Sequence, residues 1–395
     1  MQSAGELPLD GLKVVEFSHM VMGPSIGVIL GDLGADVVKV EPIDGDATRR
    51  LRGSGAGYFT MFNRNKRSIR LDLKDERGLA IARRMAAEAD IVIENFRPGA
   101  MNNLGLSYEA LASEHPRLIY CSAKGFLSGP YEQRTALDEV AQMMGGLAYM
   151  TGPPGKPLRA GASVIDVAGG MFGVIGILAA LEQRRRTGRG QHVKCSLFET
   201  TVFLVGQHMA QAAVTGEAPP PMPARLSAWA IYDVFETARR DEQVFLGVVS
   251  DSQWKVFCDA FGLSELGVDP ALAANNDRVL ARDAFLPQVR ATLGAFTKEA
   301  LLAKLEGLGL PYAPIARPED LLSDAHLAAG GGLVNVTLAS GEIARLPALP
   351  LEMTGVRFGV RADVPAPGEH TAAVLEELGF EPETIDALLA AKIAS

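Results

Sequence analysis

The chain has 395 residues, 48% hydrophobic and 22% charged, a balance typical of folded globular proteins and a length too great for one ordinary core, so two domains are expected. A net charge of −9 leaves no surplus of Lys and Arg to neutralise a phosphate backbone, which argues against nucleic acid as a partner. Cys121, Cys195 and Cys258 lie far apart with no CxxC spacing; they read as reduced thiols of a reducing cytoplasm, with neither a disulfide framework nor a metal site.

In chain order, the opening MQSAGELPLDG lacks the apolar core of an export signal. Leu12 to Phe17 reads as a buried strand, Met22-Gly23-Pro24 as a turn, Ser25 to Leu33 as a helix ended by Gly34, and Asp36 to Glu41 as a second strand. The alternation continues: helix Glu76 to Ala87, strand Ile91 to Glu94, helix Tyr108 to Glu114, strand Leu118 to Ser122. Such spacing predicts an α/β fold, a Rossmann-like mostly parallel sheet with helices on both faces. Gly53, Gly55 and Gly57 do not sit between the first strand and its helix in a G-x-G-x-x-G pattern. A standard dinucleotide site is therefore rejected, and neither a Walker A lysine nor a nucleophile-elbow serine is present.

The stretch from Gly161 to Arg189 places one carboxylate, Asp166, ahead of uncharged residues from Val167 to Leu181. The pattern predicts a central helix over Val167 to Arg185, buried all round and too short and glycine-rich to span a bilayer, so no membrane partner is expected. Asp166 itself has two readings. It fits the N-cap of that helix, which is the commoner arrangement for Asp, and it also fits a carboxylate nucleophile held at an apolar site beside backbone amides.

Beyond it, Gly190 to Ser196 reads as a strand and Leu197 to Ala213 as one long apolar helix. Four prolines between 219 and 223 mark a linker, 216–230. Ile231 to Glu236 and Val244 to Val249 read as a hairpin opening a small α+β domain, 231–330. The chain then returns, and Gly368 to Ala394 reads as a helical amphipathic segment packing on a large domain made of 1–215 and 331–395.

The motifs LDGLKVVEF, MGPSIGVILGDLGADVVKVE, YFTMFNRNKRSIRLDLK, VIENFRPGAMNNLGL, IYCSAKGF, TGRGQHV and PGEHT, in this order around the Asp166 helix, resemble the class III CoA-transferases of the CaiB/BaiF type, which include formyl-CoA transferase and carnitine CoA-transferase. The resemblance covers nearly the whole chain. It implies that Asp166 is catalytic and forms an enzyme-bound anhydride and thioester, with coenzyme A as substrate and no permanently bound cofactor. It further implies CoA contacts from Val21 and Met22, from Leu71, Leu73 and Lys74, and from Asn95, Phe96 and Arg97, with Asp138 at the pantetheine and active-site wall.

Formyl-CoA transferase has a nucleotide-binding arginine after the residue matching Glu41; here Pro42 stands there, so Arg49, Arg64 or Lys66 is expected to supply the charge. The resemblance also implies a homodimer of interlocked rings. The glycine-rich loop of formyl-CoA transferase is missing after the linker, where ARLSAWAIYDVFE stands. Formyl-CoA and oxalate are therefore not favoured, and succinyl-CoA or another dicarboxylic donor with a small dicarboxylate acceptor is, its distal carboxylate paired with Arg49, Arg52, Arg134 or Arg225. Two alternatives remain. One is an α-methylacyl-CoA racemase, disfavoured because Leu137 occupies the position of its proton-transferring histidine; the other is a noncatalytic CoA-binding protein.

Overall fold

The computed structural model describes residues 7–225, 227–338 and 340–395. The chain divides into two compact units, one formed by the residues up to Pro223 with Ala325–Ser395, the other by Ala224–Asp324. The return to the first unit thus comes earlier than position 331, because helix Ala325–Gly330 belongs with the larger unit.

The larger unit is built on six strands, β1 Lys13–Phe17, β2 Asp36–Glu41, β3 Lys66–Arg70, β4 Ile91–Glu94, β5 Ile119–Lys124 and β6 His192–Ser196. Their spatial order is β3-β2-β1-β4-β5-β6, and every neighbouring pair is parallel. Apolar runs such as Val14-Val15 and Ile91-Val92-Ile93 are buried because helices cover both faces of the sheet. On one face lie helix Glu76–Glu88 and the C-terminal helices, contributing Ile81, Met85, Leu375 and Ile385. On the other lie helix Met22–Asp32 and the central helix, contributing Ile26, Leu30, Val174 and Ile177.

The central helix runs from Val164 to Thr187 and ends on Gly188 in the left-handed conformation (φ 71°). Its glycines serve a close approach: a Cβ on Gly170 would fall 2.0 Å from the Ser25 hydroxyl, and one on Gly173 would fall 2.7 Å from Ile26. It is not buried all round, because Met171, Ile175 and Leu178 on its other side are exposed. By length and composition it could cross a membrane; in this fold its glycine face packs on the first helix.

Three further expectations are corrected. Helix Met22–Asp32 already includes Met22-Gly23-Pro24, since proline is tolerated in a first turn. The apolar segment after β6 is two helices, Leu197–Leu204 and Gly206–Thr215, broken at Val205. The C-terminal segment is also two, Thr371–Glu377 and Pro382–Ala390, separated by Gly379 at φ 77°.

The smaller unit pairs β7 Ile231–Glu236, β8 Gln243–Val248 and β9 Tyr312–Pro314 into an antiparallel sheet. Helices Asp251–Ala260, Arg282–Gly294 and Lys298–Leu305 enclose its own core around Phe235, Trp254, Phe257 and Val289.

β3 is the strand that hydropathy conceals, because its sequence KRSIR looks like a solvated face. Lys66 is buried by a partner: its ammonium lies 2.8 Å from Glu16, whose other oxygen is 3.3 Å from Lys39, which in turn pairs with Asp46 at 3.2 Å. Burial pushes the Glu16 carboxyl up, but Lys66 and Lys39 outweigh it and hold Glu16 below the usual carboxylate range. The two ammonium groups also donate to Ser18 O (2.6 Å) and Pro24 O (3.0 Å), fixing both ends of the loop after β1.

Removing one member leaves an uncompensated buried charge. K66M is expected to lower unfolding free energy by about 3–5 kcal/mol in urea titrations. The E16Q/K66M double variant should lose less than the sum of the single losses.

Candidate active site

In an open parallel sheet, the strand order reverses where two neighbouring loops leave in opposite directions, and a crevice forms outside the carboxyl ends of those strands. Here the reversal lies between β1 and β4. The loop after β1 carries His19 and Met20; the turn after β4 carries Asn95, Phe96 and Arg97. Asn95 staples the two, accepting from His19 N at 3.0 Å and donating to His19 O at 2.8 Å. Met20 sits at φ 65°, with its N–H donating to the Thr48 hydroxyl at 3.1 Å.

A cleft of about 350 Å³ opens from this point. Of the residues the sequence assigned to the site, Met22, Asn95, Phe96, Arg97, Asp138 and Asp166 line it. Val21 does not, being 1% exposed. Leu71, also 1% exposed, forms a β-bridge with Ala394, Leu73 packs on the core, and Lys74 stands exposed beyond β3. These three lie two strands away from β1, at the carboxyl end of the sheet but outside this cleft.

The cations expected to replace the missing arginine at Pro42 are engaged elsewhere. Arg64 is buried and bidentate to Asp32, at 3.1 and 2.6 Å. Lys66 is consumed by Glu16. Arg49 is bidentate to Glu41 and donates to Pro365 O at 2.8 Å. Arg97, by contrast, lines the cleft with no ion-pair partner among the described residues.

Asp166 is the third residue of the central helix, and not its N-cap. The N-cap position is Ser163, whose side chain caps nothing; the capping carboxylate comes from Asp138, the first residue of helix Asp138–Met144. Asp138 accepts from Ile165 N at 2.9 Å and Asp166 N at 3.2 Å through one oxygen. Its other oxygen accepts from Gln142 at 2.5 Å and faces Arg159 at 3.4 Å. With the helix amides served from 27 residues upstream, the Asp166 carboxylate has no hydrogen-bond donor among the described residues. It shares the cleft with Asp138 and Arg159.

Burial, then the charge of Asp138, push the Asp166 carboxyl up to about 7, with Arg159 opposing in part. A carboxylate whose pKa lies near neutrality is a stronger nucleophile than a solvated one, half ionised at pH 7 and increasingly ionised above it. Sequence reasoning missed three features of this site. His19 lines the cleft and stacks on Phe96 at 6.0 Å. The other two are the long-range cap from Asp138 and the Arg159 that restrains it; nothing local in the sequence signals either.

The shift has a direct test. Infrared difference titration should show a carboxyl that ionises near pH 7, is absent in D166N, and moves to lower pH in D138N, where the neighbouring charge is gone.

The sequence profile described as CoA-transferase family III matches residues 9–371. The acetyl-CoA:oxalate CoA-transferase of Acetobacter aceti is 37% identical over 355 residues, covering 88% of this chain and 90% of that one. The succinate–glutarate CoA-transferase of Agrobacterium fabrum is 33% identical, covering 96% of each. A crystal structure of a CaiB/BaiF family protein from Brucella suis superposes with a TM-score of 0.84 at 35% identity, covering 94% of this chain and all of that one. With the parallel sheet, the crevice at its point of reversal and the cleft carboxylate in place, the chain belongs to CoA-transferase family III, the class III CoA-transferases.

Proposed function

We propose that this CoA-transferase moves CoA from a dicarboxylic acyl-CoA, such as succinyl-CoA, to a small dicarboxylic acid, with Asp166 as the covalent carrier. The observation that supports this reading is the position of Asp166: ionisable near neutrality, free of hydrogen-bond donors among the described residues, and inside a cleft at the sheet's switch point. Relatives named for oxalate and for glutarate both use diacids, which supports the acceptor class and brings oxalate back among the acids to be tested.

The Asp166 carboxylate attacks the donor thioester carbonyl, forming a mixed anhydride and expelling CoA thiolate. The thiolate attacks the aspartyl carbonyl, leaving aspartyl-CoA thioester and the free donor acid. The acceptor carboxylate attacks that thioester, regenerating an anhydride and thiolate, and the thiolate then attacks the acceptor's acyl carbon to give the new acyl-CoA and free Asp166. One thioester replaces another, so no ATP is required. Acylation also removes the Asp166 charge, and with it the desolvation and the repulsion from Asp138 that destabilise the ionised side chain.

Leu137, 60% exposed on the cleft wall, has no proton to exchange, so the cleft offers no histidine at the position a racemase uses. We further propose a cytoplasmic homodimer. Met171, Ile175 and Leu178 on the central helix, with Phe203 and Met209 beyond it, are exposed apolar side chains of the kind that a second copy would cover.

Mass spectrometry after incubation with succinyl-CoA and hydroxylamine should find the modification on Asp166. In D166A the transfer rate should fall by about 1000-fold or more. An unmodified Asp166 combined with exchange of the substrate α-proton in deuterated water would overturn the transferase mechanism. The kcat/KM for the donor should rise with pH through about 7, because the protonated carboxyl cannot attack, and be lost as pH falls below it. Sedimentation should report a dimer for the native chain and a shift toward monomer for I175D; a native monomer would refute the assembly.

A further inference from the structure

Four lysine and arginine side chains line the Asp166 cleft: Arg97, Lys124, Arg134 and Arg159. Two are committed. Lys124 is held by Glu94 at 2.6 Å and donates to Phe96 O at 3.0 Å; Arg159 sits 3.4 Å from both Asp138 and Glu139. Arg97 and Arg134 have no carboxylate partner among the described residues. Arg97 belongs to the turn after β4, at the crevice outside the carboxyl ends of β1 and β4, the place where open parallel sheets bind nucleotide-bearing ligands. Arg134 belongs to the segment that leads into the reacting wall.

Arg134 is four residues before Asp138, so their Cα atoms are at most ~14 Å apart along the chain, and Asp138 bonds the backbone of Asp166 itself. The support beneath Arg134 is built from aromatic rings. Its guanidinium lies over Tyr131 at 4.9 Å and near Phe126 at 6.0 Å. Those two rings meet edge to face at 5.6 Å and pack on Phe198, while Arg134 N donates to Tyr131 O at 2.8 Å. A guanidinium held against aromatic rings, with no carboxylate partner among the described residues, has N–H groups to offer both oxygens of a carboxylate.

We infer that Arg134 is the specificity-determining residue for the acid: it binds the distal carboxylate of a diacid whose other carboxylate reacts at Asp166. Of the four arginines that sequence reasoning put forward for this role, Arg49 is taken by Glu41, and neither Arg52 nor Arg225 lines the cleft. The inference rests on the diacid reading above and adds the residue that enforces it.

The test compares glutarate with valerate, five-carbon acids in which a terminal carboxylate is exchanged for a methyl group. In ping-pong kinetics the acceptor's kcat/KM reports only the steps after the covalent CoA-enzyme forms, so the donor cancels. The glutarate-to-valerate ratio of kcat/KM should fall about 10- to 100-fold in R134Q and recover in part in R134K, which restores charge without the bidentate edge. A purely structural role for Arg134 would lower both values together and leave the ratio unmoved. A native preference for glutarate that survives in R134Q overturns the assignment of Arg134 and leaves the diacid reading standing. A native enzyme with no preference for glutarate overturns both.

Discussion

The start of the central helix presents two free amides and two carboxylates, and the site depends on which carboxylate takes the amides. Asp138, arriving from a separate short helix, accepts from Ile165 and Asp166. Among the described residues, Asp166 is thereby left without a donor of its own. A carboxylate that capped its own helix would have been stabilised as an anion, lowering its pKa and its nucleophilicity together. The division of labour produces the opposite: one carboxylate holds the backbone, and its charge helps to raise the other.

That arrangement is anchored by features that have nothing to do with the carboxylates themselves. The glycine face of the central helix lets it approach the first helix so closely that a side chain at Gly170 would collide with the Ser25 hydroxyl. The first helix in turn follows a loop pinned at Ser18 and Pro24 by two buried lysines. Charge buried in the sheet thus sets the position of one cleft wall, and close helix packing sets the other. The strand order places both at the point where the loops diverge.

Much of this was legible in the sequence. The strands β1, β2, β4 and β5 show as largely apolar runs, β6 was read as a strand from Gly190 to Ser196, and Asp166 stands out as the lone acid before a long uncharged stretch. β3 was not legible, because three basic residues in KRSIR mimic a solvent-facing segment until Glu16 is known to lie across from them. The expected phosphate ligands failed for a related reason: Arg64 and Lys66 look available as charges, yet each has a buried acid within hydrogen-bond reach. The exposed stripe of Met171, Ile175 and Leu178 was hidden because an apolar sequence reads as buried whether its cover is the same chain or another surface.

By itself the sequence determined the alternation of strands and helices, singled out Asp166 as the candidate carboxylate and carried the resemblance that names the family, since these depend on local periodicity and on ordered motifs. Only the tertiary structure decided which carboxylate caps the helix, which lysines are spent in the core, and which arginines are left open in the cleft. Those outcomes are pairings between residues tens to hundreds of positions apart. Electrostatics acts through distance in space, and the order of residues along a chain does not contain that distance.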